Sequence, residues 1–204
     1  MALSLEEVNQ LKAVPVEGLL PVIAKRWSPR SFTEKAVSTN DLQLILEAAR
    51  WSASSSNYQP WRFFVGVKGT ETHDKILNAL VPFNQGWAKK PHILILGAAA
   101  SKDSKGNPNT YALYDLGQAA ASLVLQAEAL GLAAHSMAGF DHKAARDAFN
   151  LGEEYAIGAV IAIGYQDAPS ALENEMLLQR EIAPRERKPL SEIALAALDN
   201  PLAL

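Results

Sequence analysis

The feature that most constrains the fold of this chain is an apolar run at residues 92–98, which reads His-Ile-Leu-Ile-Leu-Gly-Ala. It lacks the alternation of a half-exposed strand, as expected of a strand that is covered on both faces. We therefore predict that this strand lies at the centre of a sheet. With 204 residues, 49% of them hydrophobic, the chain can form a single domain that buries roughly 70% of its unfolded surface.

Other hydrophobic patterns predict a mixture of helices and strands. Strands are expected at 61–67, 133–137 and 157–164. Helices are expected at about 38–51, 70–80, 111–130 and 142–149. The third of these helices should be buried on more than one side and end at Gly131. A surface loop is expected at 101–110, and a tail that is first extended and then weakly helical at 183–204. Strands and helices do not strictly alternate along the chain, which favours an α+β fold over a doubly wound sheet.

The composition excludes several classes of function. A net charge of −3 gives no general electrostatic reason to bind nucleic acid or an anionic membrane. The chain has no cysteine, so disulfides, thiolate zinc sites, cysteine-ligated iron–sulfur clusters and a cysteine nucleophile are excluded. A redox role would most simply need a bound organic cofactor. We expect a cytoplasmic location, because the sequence has neither the pattern of a signal peptide nor an apolar run of the ~20 residues that span a membrane.

Two basic clusters suit the recognition of a phosphate. Arg26, Ser28 and Arg30 alternate, and in an extended segment residues two apart point to one side, about 6–7 Å from each other. Proline at position 29 disfavours helix at the preceding residue. Arg185 and Arg187 repeat this spacing near the end of the chain. The two clusters could jointly neutralise a phosphomonoester. The alternative is that each cluster is a solvated basic patch.

A second motif lies at 54–61 and reads Ser-Ser-Ser-Asn-Tyr-Gln-Pro-Trp. It is a short polar loop with hydrogen-bond donors and acceptors, followed by an apolar run. The alternative interpretation is a loop that leads into a strand and whose polar side chains satisfy main-chain groups.

In this order, the two motifs resemble those of the nitroreductase family of flavin-dependent oxidoreductases. The family patterns are approximately Arg-x-Ser-x-Arg/Lys-x-Phe and Ser-Ser-x-Asn-x-Gln-Pro-Trp, and the resemblance continues to about residue 190. It implies a central, mostly antiparallel sheet between helices, and an intertwined homodimer with FMN at the interface. The cofactor-binding residues that it implies are Arg26, Trp27, Ser28, Arg30, Ser54, Ser55, Asn57, Gln59, Asn84, Ala138, Gly139, Arg185 and Arg187.

The resemblance also implies roles for these residues. Arg30 would lie near N1 and O2 of the flavin ring and stabilise negative charge there, and the main-chain amide of Gly139 would contact N5. We take these two residues as the catalytic candidates. Asn84 would bind the pyrimidine edge of the ring, unless it serves only as a turn residue. The alternative interpretation of Gly139 is an ordinary glycine at a strand-to-helix turn. Many family members carry an acidic residue where Ala138 stands.

The expected activity is the transfer of hydride from NADH or NADPH through flavin N5 to a nitroaromatic, quinone or similar acceptor, with ping-pong kinetics. Tyr111 and Tyr114 are the candidates for the acceptor pocket. Three alternatives stay open: a specialised flavin dehydrogenase or dehalogenase of the same family, a flavin-binding protein without turnover, and an interaction protein that binds no FMN. We expect no metal site, because the four histidines lack the spacing of zinc ligands. Dinucleotide-binding and Walker A glycine motifs are absent, so nicotinamide would be a visiting substrate.

Overall fold

The computed structural model describes residues 3–14 and 16–203 of the chain. Within these ranges the helices are α1 (Leu5–Lys12), α2 (Pro21–Lys25), α3 (Thr39–Arg50), α4 (Glu71–Ala79), α5 (Pro82–Ala88), α6 (Ala112–Ala129), α7 (His142–Ala148) and α8 (Glu175–Ile182). The strands are β1 (Trp61–Val67), β2 (Ile93–Ala100), β3 (Ala133–Met137), β4 (Tyr155–Gly164), β5 (Leu195–Ala197) and β6 (Asn200–Pro201). Short 3₁₀ turns occur at Ser55–Asn57, Pro169–Ala171 and Leu190–Glu192.

The main sheet has four antiparallel strands in the order β1-β2-β4-β3. The predicted central strand is confirmed, because β2 lies between β1 and β4 and its residues from Ile93 to Ala99 are all buried. Its side chains alternate between two hydrophobic clusters. Ile93 and Ile95 face one cluster, and Leu94 and Leu96 face the other.

Helices cover both faces of the sheet, which confirms the α+β fold class. On one face α3 and α6 pack against the strands, with Ile45, Leu116 and Leu123 in the core. On the other face α4, α5 and α7 contribute residues such as Ile76 and Trp87. Burial of an aliphatic side chain such as Ile45 or Ile76 contributes about 1.5–3 kcal/mol to folding. None of the helices in the described ranges is long and apolar enough to cross a membrane.

Local signals explain where the predicted helices begin and end. The Ser38 hydroxyl accepts a hydrogen bond from the Asp41 amide at 3.0 Å and so caps α3. Thr70 caps α4 through the amide of His73. Gly131 follows α6 with a φ of +74°, a left-handed conformation that costs glycine little.

Two predictions differ from the structure. Helix α6 buries one face within this chain, whereas Leu113 on another face is 51% exposed, so burial on more than one side is not found. The tail is extended as predicted and then makes one 3₁₀ turn, but it ends in a β5–β6 hairpin instead of weak helix. Asp199, with a φ of +61°, lies in the turn of this hairpin, and a left-handed residue cannot continue a helix.

Candidate functional site

The first motif, residues 26–32, runs beside the edge strand β3 as an irregular segment after α2. The guanidinium of Arg26 donates to the Ser28 hydroxyl at 3.3 Å, so these side chains lie on the same side, as their alternation predicts. The carbonyl oxygen of Pro29 lies 2.9 Å from Nδ1 of His135 in β3. This bond ties the motif to the sheet.

The basic tail folds back onto this motif. Burial lowers the pKa of Arg26, and the nearby charge of Arg187 lowers it further. The pKa of Arg185 is lowered by burial first and then by Arg187 and Arg26. The three guanidinium groups therefore lie within range of mutual repulsion, which a doubly charged anion would relieve. Arg185 also donates to the carbonyl oxygens of Lys12 (2.9 Å) and Ala24 (3.3 Å), so part of its role is structural.

The main chain at Arg30 is held by a buried carboxylate that no sequence motif predicted. Glu181 of α8 is fully buried, and its Oε1 accepts from the amides of Arg30 (2.9 Å) and Ser31 (3.1 Å). The Arg30 side chain lines a cavity of about 330 Å³, and its Nε is buried without a hydrogen-bond partner among the described residues. The sequence carried a weak signal, because Glu181 lies one turn after the buried Leu177 on the inner face of α8.

Asn84 and Gly139 are brought together, although they are 55 positions apart. The Asn84 side-chain amide donates to the Gly139 carbonyl oxygen at 3.0 Å, and the Val81 amide donates to the same oxygen at 3.1 Å. A Cβ atom at position 139 would lie 2.6 Å from Nδ2 of Asn84, so a larger residue there would push the Asn84 side chain aside. Asn84 lies inside α5, so its interpretation as a turn residue is wrong. Ala138, beside them, is exposed.

The second motif is fixed by another buried carboxylate. The Ser55 amide lies 3.1 and 3.2 Å from the carboxylate oxygens of Asp115, which is 1% exposed in the first turn of α6. The Ser54 hydroxyl accepts from the Gln59 amide at 3.0 Å. This part of the loop therefore does satisfy main-chain groups, as the alternative interpretation expects. Left-handed φ angles of 48°, 56° and 49° occur at Ser56, Asn57 and Gln59. Such angles are costly outside glycine and persist only where neighbouring contacts impose them.

The two motifs lie at opposite edges of the sheet. The second motif leads into β1 and the first runs beside β3, and three strand spacings of about 4.8 Å separate these edge strands by roughly 14 Å. In the part of the chain that the structure describes, no hydrogen bond joins the second motif to Arg26, Arg30 or Arg187. The exposed rings of Tyr111 and Tyr114 lie 6.4 Å apart at the start of α6. They are close to the second motif, because the next residue, Asp115, binds the Ser55 amide.

The side chain of Trp27 lies against α1. Its Nε1 donates to the Asn9 side chain at 2.8 Å, and the Lys12 ammonium lies 4.8 Å from its ring centre. Trp27 is only 8% exposed. It anchors α1, and the alternation that brings Arg26 and Ser28 to one side turns Trp27 to the other.

Among the residues that the structure describes, no cluster of three or more histidine, aspartate or glutamate side chains could hold a metal ion. The histidines have structural surroundings instead. His92 Nδ1 accepts from the Val37 amide at 3.1 Å, and His142 is exposed and stacks on Phe140. His135 is 8% exposed and packs its ring against Trp87.

His135 should make folding stability fall in mild acid. Burial lowers the pKa of His135 from 6.5 to about 4. Between these pH values the unfolded chain binds a proton that the folded chain does not, so stability is lost as the pH falls from about 6.5 to 4. The loss attributable to this group reaches about 3 kcal/mol. Urea unfolding at pH 7 and pH 4 measures the change, and His135→Asn should reduce it by about this amount.

The exposed His142 provides a matched control for this measurement. His142→Asn should leave the pH dependence of the wild-type protein unchanged. A His135→Asn protein with the pH dependence of the wild type would show that the buried imidazole is not the group responsible.

The fold is an antiparallel sheet between helices, and a cationic site lies beside one of its edge strands. The model of the nitroreductase family matches residues 23–85 and 80–165, which together make up more than half of the chain. The chain belongs to the nitroreductase family.

Individual relatives agree with this assignment. A solved oxidoreductase containing FMN is 31% identical, with a TM-score of 0.84 over 91% of this chain and 94% of that chain. An NADH dehydrogenase from Thermus thermophilus is 28% identical, and the match covers 82% of this chain and 98% of that protein. An uncharacterized 15.4 kDa protein from Mycolicibacterium smegmatis is 32% identical over 149 residues, which cover 69% of this chain and 99% of that protein.

Proposed function

We propose that this protein is an FMN-dependent oxidoreductase that takes hydride from NADH or NADPH and reduces a small electron-poor acceptor, such as a nitroaromatic compound or a quinone. The observation that carries the proposal is that the basic tail lies beside the first motif. Arg185 donates to the Ala24 carbonyl oxygen at 3.3 Å, and the charge of Arg187 lowers the pKa of Arg26. The Asn84–Gly139 contact adjoins the same edge strand, β3. These donors suit a phosphate and the edge of a flavin ring. The FMN in the solved relative supports the same cofactor here.

Each residue has a separate task in this proposal. Arg26, Ser28 and Arg187 bind the phosphate, and the amide of Asn84 binds the pyrimidine edge. Arg30 attracts negative charge to the N1 and O2 side of the ring, and the Gly139 main chain borders N5. Bound FMN would supply the hydride chemistry, so no side-chain acid or base is required. Nicotinamide and acceptor would use one site in turn, which gives ping-pong kinetics.

In the same proposal, the second subunit of a homodimer completes the site. Ser54, Ser55, Asn57 and Gln59 lie across the sheet from the arginines of their own chain, so a partner would bring its copies to the cofactor. The exposed face of α6 supports this arrangement, because Leu113 and Tyr114 are 51% and 67% exposed beside the second motif. Tyr111 and Tyr114 would then border the acceptor pocket.

The visible absorption spectrum of the purified protein tests the proposal most directly. Bands near ~370 and ~450 nm are expected from bound flavin, and anaerobic addition of NADPH or NADH should bleach them. A nitroaromatic or quinone acceptor should then restore the bands. Bands that do not bleach would instead favour a flavin-binding protein without turnover, for which the missing acidic side chain at Ala138 is a specific reason. A protein that stays colourless after incubation with FMN would overturn the cofactor itself.

A further inference from the structure

The buried carboxylate of Glu181 is the feature of this chain that packing explains least. It lies on α8 and is 0% exposed, with Oε1 and Oε2 at 2.9 and 3.0 Å from the Arg30 amide and Oε1 at 3.1 Å from the Ser31 amide. Burial of a carboxylate is costly unless hydrogen bonds and opposite charges compensate it. Here the compensation comes from the first motif itself, 150 positions earlier in the chain. Glu181 therefore fixes the main chain at the end of that motif.

Two positive charges face this carboxylate. One is the guanidinium of Arg30, and the other is the ammonium of Lys12, which is 5% exposed and donates to the Ala183 carbonyl oxygen. Burial raises the pKa of Glu181. The hydrogen bonds from the two main-chain amides and the positive charges of Arg30 and Lys12 oppose that shift. Burial lowers the pKa of Arg30. The negative charge of Glu181 opposes that lowering, whereas the positive charge of Arg180 adds to it. The charge of Arg30 is thus partly offset from the side of α8.

This offset matters because Arg30 is half-buried, where charges are screened less than in water. If Arg30 faces the N1 and O2 side of a flavin, its field stabilises the negative charge that reduction adds there. A neighbouring carboxylate weakens that field. The strength of the effect is then set by Glu181 as well as by Arg30.

We infer that Glu181 is a positioning residue that holds the Arg30–Ser31 main chain in place and moderates the charge that Arg30 presents to bound FMN. The inference rests on the proposed function for the cofactor, whereas the contact between Glu181 and the two amides does not. The two parts are therefore tested by different measurements.

The first measurement follows amide hydrogen exchange at Arg30 and Ser31 in protein without FMN. In the wild type both amides should be protected, and in Glu181→Ala they should exchange at least tenfold faster relative to the amides of β2. Glu175→Gln, on the exposed first turn of the same helix, should exchange as the wild type does. Equal protection of the two amides in Glu181→Ala and wild type would overturn the positioning role.

The second measurement is the two-electron midpoint potential of FMN bound to Glu181→Gln, which keeps the shape and one acceptor oxygen but removes the charge. Reduced FMN should bind about tenfold more tightly relative to oxidised FMN, so the potential should rise by about 30 mV. The potential of Glu175→Gln should match the wild type. An unchanged or lower potential in Glu181→Gln would overturn the moderating role, whereas failure of the wild type to bind FMN would overturn both that role and the proposed function. In either case the exchange experiment still decides the positioning role.

Discussion

An Arg26→Ala, Arg187→Ala double variant should bind FMN about a thousandfold more weakly than the wild-type protein. A hydrogen bond to a charged group contributes about 1.5–3 kcal/mol, and two of them at about 4 kcal/mol together correspond to this factor. The protein fold should tolerate the change. Within the described residues, Arg26 bonds to the adjacent Ser28 hydroxyl and the exposed Arg187 bonds to the carbonyl oxygen of Glu186.

Titration of the protein without flavin, followed by FMN fluorescence, measures this affinity. The two single variants complete a double-mutant cycle and give the coupling between the arginines. Riboflavin lacks the phosphate, so its affinity should be nearly the same in the double variant and the wild type. Arg50→Ala with Lys143→Ala removes two exposed charges elsewhere and should leave FMN binding unchanged. Equal losses for FMN and riboflavin would show that the arginines do not bind the phosphate.

The sequence predicts most of the sheet and its helices because their signals are local. The apolar run of β2 can be recognised without knowing which strands pair with it. The capping signals at Ser38 and Thr70 lie within three residues of the amides that they cap. Helix α5 has no side-chain cap, and only Pro82 at its first position marks its start. It has seven residues and contains Gly86, a poor helix former, so Asn84 could be interpreted as part of a turn.

The two motifs themselves could be found from the sequence, but what holds them could not. Asp115 and Glu181 bond to main-chain amides that lie 60 and about 150 positions away. Such pairs become neighbours only after the sheet and helices have packed. The separation of the two motifs at opposite sheet edges likewise depends on strand order, which periodicity does not encode. A carboxylate on the buried face of a helix remains the one local hint.

A single methyl group at Gly66 should destabilise the fold more than most surface substitutions could. Gly66 is buried in β1, and a Cβ atom there would lie 2.5 Å from Cα and 2.6 Å from the main-chain nitrogen of His73 in α4. Main-chain atoms cannot rotate aside as a side chain can, so α4 would have to move off the sheet. Gly66→Ala should therefore lower the free energy of unfolding by about 3 kcal/mol, which is about 6–12 °C in Tm for a chain of this size.

Gly86 in α5 offers a matched control, because a Cβ atom there meets no atom within 4 Å and its φ is not left-handed. Gly86→Ala should leave stability unchanged or raise it by about 0.5–1 kcal/mol, since alanine favours helix and restricts the unfolded chain. Urea unfolding with and without saturating FMN separates the fold from the ligand, because a bound ligand adds its own stabilisation. Equal stability of Gly66→Ala and Gly86→Ala would mean that α4 and β1 can separate at little cost. The close packing of α4 on β1 predicts the opposite.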